Sequence, residues 1–398
     1  MTDPKHAPFP PTAPPHHTLA LAEPCQPRPW VLDRPQITTK EEWRKWMREV
    51  SDAPARPERL TRRQRAALKP DARQAYDAAR IEYHDRFGPV RHIDFQEIYD
   101  EVLELAEDNW LSRSPTAWSS VLIDGEVSLG KTTLALHIAH RYELAMRAHY
   151  DLTDDGSADD FVPVVVCTLD EDLTVKGLDR ALATFYAPPP TGKRVAEDYR
   201  HLVLECARRC GTTLFVVDDL HHLLDRLKHQ AAVGGHLKRL MNELPATFLY
   251  AGVECTVLLN EGYAPHELHR AQNASRAHVY SLSLYPLATT EDRRAWASLI
   301  ATFASHLVLA DQPTDLWNKH ATYLHQRTSG QMNALQGLLR RAANRAIRDG
   351  SERIDRRLLD SIKLANTAET RARAAGFRPA GGTRNPRVDR RSQRPVAR

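Results

Sequence analysis

Residues 119–132 read SSVLIDGEVSLGKT, a short apolar run that passes directly into a loop bounded by two glycines. The apolar run predicts a strand over Ser119–Asp124, and Lys131–Ala148 has the spacing of a helix. A strand, the pattern G-x-x-x-x-G-K-T and a helix, in this order, are typical of a phosphate-binding P-loop. The sequence therefore predicts that a nucleoside triphosphate binds at this turn, with ATP as the expected nucleotide.

Each part of this loop has an expected contact. Backbone N–H groups of the loop and of the first helical turn wrap the phosphates, and the two glycines permit close approach. Lys131 reaches the β- and γ-phosphates, and the Thr132 hydroxyl binds Mg²⁺. The predicted nucleotide contacts are Gly125, Glu126, Val127, Ser128, Leu129, Gly130, Lys131, Thr132 and Thr133.

Two carboxylates follow a second apolar run, TLFVV at 213–217. Asp218 is expected to hold Mg²⁺ at the carboxyl end of its strand, the edge at which α/β proteins bind ligands. Asp219 occupies the place where many such ATPases carry a glutamate that orients the attacking water. We expect hydrolysis, with the shorter carboxylate as a reason for a slow rate. The alternative for Asp219 is an N-cap of the helix that starts near His221.

Strands and helices alternate from about residue 118, which predicts a parallel α/β sheet flanked by helices. Before it, the spacing of apolar residues predicts a helical extension, and after it an all-α region. The predicted boundaries are a disordered proline-rich tail at 1–36, a helical N-terminal extension at 37–112, an α/β nucleotide-binding domain at 113–286, a helical lid at 287–368 and a disordered basic tail at 369–398.

Composition excludes several classes of protein. No apolar run is long enough to span a membrane, and the first residues lack the apolar core of a signal peptide, so the expected location is the cytoplasm. The five cysteines are irregularly spaced, which argues against a disulfide framework.

Basic charge is concentrated at the C-terminus. Residues 371–398 hold nine Arg and one Asp, whereas the net charge of the whole chain is +4. Such a tail suits contact with the phosphate backbone of DNA without sequence preference. The alternative is a solvated tail that binds nothing.

Arginines also precede the last predicted strand, in the stretch RAQNASR at 270–276. An arginine here can project into the nucleotide of a neighbouring subunit and stabilise charge in the transition state. Arg276 is the favoured candidate over Arg270. The alternative is that both are surface residues of a loop.

Taken in order, these motifs resemble the TniB/TnsC group of AAA+ ATPases of transposition, which is related to MuB. The resemblance covers roughly residues 35–365 and is carried by four segments: ARQAYDAARIEYHDRFGPVRH at 72–92, LTVKGLDRALATFYAPPP at 173–190, QNASRAHVYSLSLYPL at 272–287 and TSGQMNALQGLLRRAANRAIRDGSERIDRRLLDSI at 328–362. The lid segment departs from many AAA+ lids, because Gly330–Asn333 carries no arginine.

The resemblance implies an AAA+ module with a helical lid. It implies ATP-dependent oligomerisation on DNA as a ring or filament, and contact with a transposase and a target-selection protein. It also implies that Asp218 and Asp219 serve the metal and the water, and that Arg276 acts in trans. Two other functions stay open from the sequence: a helicase loader or replication initiator, and a non-hydrolysing nucleotide switch that acts as a scaffold, for example in defence.

Overall fold

The computed structural model describes residues 37–86, 93–112, 114, 118–152, 160–170, 174–187, 195–224, 230–258, 277–311 and 316–377. These residues belong to one compact unit, which starts at Ile37. The proline-rich segment 1–36 and the end of the basic segment, 378–398, lie outside the described residues. Among the described helices, none is long and apolar enough to cross a membrane.

The centre of the unit is a parallel sheet. Its strands are β1 (Ser120–Gly125), β2 (Val164–Thr168), β3 (Leu214–Asp218), β4 (Thr247–Gly252) and β5 (Ala277–Leu282). They lie in the order β2-β3-β4-β1-β5, and every neighbouring pair is parallel. The carboxyl ends of β1 and β3 therefore point to the same edge, with β4 between them.

Burial explains why these segments form the sheet. Every residue of β3 and β4 is buried, as expected for central parallel strands that are covered on both faces. The edge strand β5 is only partly buried. The strands predicted over 119–124 and 213–217 agree with β1 and β3 to within one residue. Strand β2 starts at Val164, because Pro163 precedes it and carries no N–H for the ladder.

Helices surround the sheet and form the lid. The helices are α1 (Lys40–Ser51), α2 (Arg62–Ala67), α3 (Pro70–Arg86), α4 (Ile93–Ser112), α5 (Lys131–His149), α6 (Val175–Tyr186), α7 (Ala196–Cys210), α8 (His221–Leu224), α9 (Gln230–Glu243), α10 (Thr290–His306), α11 (Leu316–Thr328), α12 (Met332–Arg348), α13 (Arg356–Ser361) and α14 (Asn366–Ala374). The central helix α5 packs against β1 to β4. This arrangement confirms the predicted fold class, a parallel α/β sheet flanked by helices, with a helical N-terminal extension before it and an all-α region after it.

The first helices of the chain dock on two different parts of the molecule. In α1, the Trp43 indole N–H donates to the buried Glu143 of α5 at 2.5 Å. In α3, the buried Arg80 donates to both carboxylate oxygens of Glu352 in the lid, at 2.7 and 2.8 Å. A guanidinium stays charged even when it is buried, so its burial is costly unless it is paired. The extension thus ties the helices over the sheet to the lid.

The segment that leads from β5 into the lid is hydrogen-bonded to the turn before α12. The Tyr285 N–H donates to the Gly330 carbonyl at 3.0 Å. Gly330 has φ +69, and a Cβ there would stand 2.3 Å from the Tyr285 carbonyl oxygen. Only glycine fits this turn without strain. The chain between β5 and α10 is therefore held close to the start of α12.

Two sequence predictions need correction. The apolar spacing within the extension predicts one helical stretch over 61–87, but the structure divides it into α2 and α3, because Pro70 cannot continue α2 and instead begins α3. The segment assigned to a disordered tail from residue 369 is helical as far as Ala374. Its high arginine content concealed Ala368 and Ala372, which are buried one turn apart.

Candidate nucleotide-binding site

The predicted P-loop connects β1 to α5 and has the backbone of a phosphate cradle. Gly125 has φ +150, and a Cβ there would stand 2.4 Å from the Leu282 carbonyl oxygen of β5. Ser128 has φ +69 and Gly130, the N-cap of α5, has φ +94. Alternation of positive and negative φ turns successive N–H groups toward one point, which suits an anion. The glycines that the pattern demands are thus required by contacts in this chain.

Lys131 is buried at the first position of α5. Its Nζ donates to the carbonyl oxygens of Gly125 and Glu126, at 2.8 and 2.7 Å. Burial lowers the Lys131 pKa, and the nearby carboxylates of Asp218 and Asp124 oppose that shift. The ammonium is therefore held above the loop by oxygen acceptors, the kind of partner that a phosphate would supply.

Asp218 ends β3 and is fully buried. The Thr132 hydroxyl lies beside this carboxylate and lowers its pKa, against the larger effect of burial. Its second oxygen, Oδ2, is buried and has no hydrogen-bond partner among the described residues. Burial raises the Asp218 pKa, and the neighbouring Asp219 charge adds to the shift. A buried carboxylate oxygen without a donor fits a divalent cation, and Mg²⁺ takes few protein oxygens and keeps several waters.

Asp219 follows in a left-handed conformation, with φ +55. Its N–H donates to Asp218 Oδ1 at 2.9 Å, which fixes the two carboxylates relative to each other. Its side chain is partly exposed, and Oδ1 lies 3.9 Å from His221 Nδ1. Aspartate is among the few residues that tolerate a left-handed backbone, because its short side chain bonds locally. This backbone gives a physical reason for Asp rather than Glu at the position.

One acidic residue of the site escaped the sequence analysis. Asp124, the residue before Gly125 in β1, accepts the Cys255 N–H at 2.9 Å and so joins the end of β1 to the turn that follows β4. Burial raises the pKa of the Cys255 thiol to about 12, and the Asp124 charge adds to that shift. The signal was a polar residue at the end of an otherwise apolar strand.

The remaining predicted contacts surround the loop. Leu129 is buried, whereas Glu126, Val127, Ser128, Thr132 and Thr133 are exposed. Thr132 and Asp218 are in contact, as a shared metal site requires. Arg270 and Arg276 lie outside the described residues.

Comparison with known proteins relates these features to a family. Residues 80–260 match the family model described as bacterial TniB protein. That segment contains the P-loop, Asp218 and Asp219, and it ends before the lid. No curated protein matches the chain.

Several solved structures are similar at low sequence identity. The Aeropyrum pernix ORC1 protein in complex with DNA is 17% identical, covers 74% of this chain and 67% of its own, and has a TM-score of 0.48. Cdc6p from Pyrobaculum aerophilum is 17% identical, with coverages of 70% and 72% and a TM-score of 0.46. The Thermotoga maritima RuvB Holliday junction branch migration motor is 16% identical, with coverages of 66% and 67% and a TM-score of 0.38. The family model agrees with the resemblance drawn from the sequence, since residues 80–260 are similar to bacterial TniB proteins.

Proposed function

We propose that this protein is an ATP-dependent, DNA-binding AAA+ regulator of transposition, which oligomerises on DNA and recruits or activates a transposase. The observation that carries the proposal is the TniB family match over residues 80–260, the segment that holds the P-loop and Asp218. The site geometry supports the nucleotide part of this proposal independently of the family.

The side chains have distinct parts in ATP binding and hydrolysis. Lys131 exchanges its two loop carbonyls for oxygens of the β- and γ-phosphates. Thr132 and Asp218 hold Mg²⁺, which when bound supplies positive charge between those phosphates. Asp219, fixed by its N–H bond to Asp218, orients the attacking water and accepts its proton.

An action of Arg276 in trans rests on the resemblance to the TniB/TnsC group alone, because the described part of the chain resumes only at Ala277.

DNA binding and the protein partners rest on the family resemblance and on charge. Residues 378–398 contain seven Arg and one Asp, which suits contact with phosphates. By the same resemblance the partners are a transposase and a target-selection protein, and the assembly is a ring or filament of this chain.

The direct test follows assembly and turnover together. Light scattering and negative-stain microscopy are recorded with ATP, with ADP and with no nucleotide, each with and without duplex DNA. We expect large assemblies only with ATP and DNA together, and DNA-stimulated release of phosphate. ATP binding without assembly or turnover would contradict the proposal and favour the nucleotide-switch scaffold. A transposase gene next to this one separates transposition from helicase loading, for which none is expected.

A further inference from the structure

A hydrogen bond joins the P-loop, at Glu126, to the last described helix of the lid. Arg371 of α14 donates through Nη2 to Glu126 Oε2 at 2.5 Å, and the two residues are 245 positions apart. The carbonyl of the same Glu126 accepts from Lys131 Nζ at 2.7 Å. One loop residue therefore holds two cations, the P-loop lysine through its backbone and a lid arginine through its side chain.

The second terminal nitrogen of Arg371 is in an unusual situation. Its Nη1 is buried and has no hydrogen-bond partner among the described residues. A guanidinium presents five N–H donors in a fixed fork that matches phosphate geometry. An unsatisfied buried donor is costly unless a ligand completes it. The Glu126 carboxylate thus uses only part of the binding capacity that Arg371 brings to the loop.

The position of Arg371 is set by contacts within the lid. The buried Arg327 of α11 donates to Glu369 Oε1 of α14 at 2.8 Å and to the Ile362 carbonyl at 2.7 Å. The Leu364 N–H donates to the same Glu369 oxygen at 3.1 Å. These bonds hold α14 at Glu369, which lies two residues before Arg371. The arginine is presented to the loop by the lid and moves with it.

The start of α12 approaches the same loop with uncharged groups. Met332 Cε and Asn333 Oδ1 lie 3.1 and 3.9 Å from the place where a Cβ on Gly130 would stand. The absence of an arginine from Gly330–Asn333 is therefore matched by an arginine that reaches the loop from a different helix.

We propose that Arg371 is a phosphate ligand of the bound nucleoside triphosphate and that Glu126 is its competitor at the P-loop. This inference rests on the proposed nucleotide site. A triphosphate carries more negative charge than one carboxylate and is repelled by Glu126, so its arrival favours transfer of Arg371 from Glu126 to phosphate oxygens. Because α14 belongs to the lid, the transfer makes a contact of the lid depend on whether a triphosphate is bound.

The two residues therefore have opposite effects on affinity. Arg371→Ala removes a charged donor from the triphosphate, which corresponds to roughly a tenfold loss of affinity. Glu126→Gln removes the competitor and the repulsion, so it tightens triphosphate binding several-fold. A pair that serves only to tie the lid to the loop would change affinity in the same direction from either side.

The experiment is titration calorimetry of the full chain with Mg²⁺-ATPγS and with Mg²⁺-ADP. Arg373→Ala is the matched control, because Arg373 is on the same helix, carries the same charge and pairs loosely with Glu369 at 3.8 Å. Arg371→Lys keeps the charge without the fork and should lose part of the affinity. We expect Arg371→Ala to lower the affinity for ATPγS more than the affinity for ADP. Arg373→Ala should bind both nucleotides with the affinities of the wild type, and Glu126→Gln should bind ATPγS more tightly.

Two results would overturn the inference. One is an affinity for ATPγS that is the same in Arg371→Ala as in Arg373→Ala, and the other is an affinity of Glu126→Gln for ATPγS that is lower than that of the wild type. The wild-type titration separates these from failure of the proposed function. If the wild type binds neither nucleotide, the P-loop assignment itself fails and the inference fails with it. If the wild type binds both nucleotides while Arg371→Ala changes neither, only the role of Arg371 is lost. Because the pair is partly exposed, its removal should leave thermal unfolding nearly unchanged.

Discussion

The Thr132 hydroxyl lies beside the carboxylate of Asp218 and lowers the pKa of that carboxyl against the larger effect of burial, so the first turn of α5 meets the end of β3 at these two residues. The two residues belong to the two strand–loop junctions that lie on either side of β4. Their contact leaves Asp218 Oδ2 buried without a hydrogen-bond partner among the described residues. The metal chemistry proposed for the site depends on this arrangement.

Asp218→Asn tests the metal site by separating stability from function. Burial raises the Asp218 pKa, so the carboxylate is costly to keep charged in the folded protein. We expect the variant to be at least as stable as the wild type in EDTA, measured by thermal unfolding. Its ATPase rate should fall by a factor of about 100 or more, because one charged ligand of Mg²⁺ is lost. A large loss of stability in EDTA together with unchanged turnover would contradict this role.

Asp219→Asn tests the water-orienting role without disturbing the backbone, since asparagine also tolerates the left-handed conformation that Asp219 adopts, with φ +55. ATP affinity should stay close to that of the wild type, and turnover should fall by a factor of about 100 or more. Asp219→Gly removes the same carboxylate and also any backbone strain, so it should lose turnover to the same extent as Asp219→Asn. Normal turnover in either variant would favour the N-cap interpretation.

Asp219 also illustrates what the sequence could and could not predict. Residue types and spacing located the P-loop, Asp218 and the order of strands, because these depend on local patterns. The left-handed backbone at Asp219 arises from the turn between β3 and α8, which no pattern specifies. Arg371 was assigned to the tail because its segment is rich in arginine, and only the packing of α14 on the lid brings it to Glu126.

His84 should make stability depend on pH. Its Nε2 accepts the Val308 N–H at 2.9 Å, and its Nδ1 lies 3.1 Å from Asn344 Oδ1. Protonation of Nε2 would place a proton against another donor, and burial lowers the His84 pKa from 6.5 to about 4. The unfolded chain therefore binds more protons between these values, so stability falls as the pH drops from about 6.5 to 4.

The shift of the His84 pKa corresponds to a loss of about 3 kcal/mol in the free energy of unfolding at the acidic end of this range. Urea unfolding from pH 7.5 to 4.5 measures the effect, with His84→Gln as the comparison. We expect the pH dependence of the variant to be shallower by most of this amount. An identical slope in both proteins would show that His84 does not titrate as the contacts indicate.

The basic segment beyond the described lid should contribute to DNA binding through charge. Because α14 extends to Ala374, the truncation that tests this segment removes only residues 378–398, with their seven Arg. We expect weaker binding to duplex DNA and a flatter dependence of affinity on salt, with ATP affinity retained. Fluorescence anisotropy at several salt concentrations gives both quantities. An unchanged slope would mean that the segment makes no phosphate contacts.

The central claim is that Gly125–Thr132 binds a nucleoside triphosphate and that this binding drives assembly on DNA. Lys131→Ala removes the ammonium that donates to the Gly125 and Glu126 carbonyls. The decisive measurement is ATP binding by calorimetry on this variant and the wild type, followed by light scattering with DNA. We predict that the variant loses ATP binding and with it every ATP-dependent assembly. ATP affinity equal to that of the wild type would contradict the account.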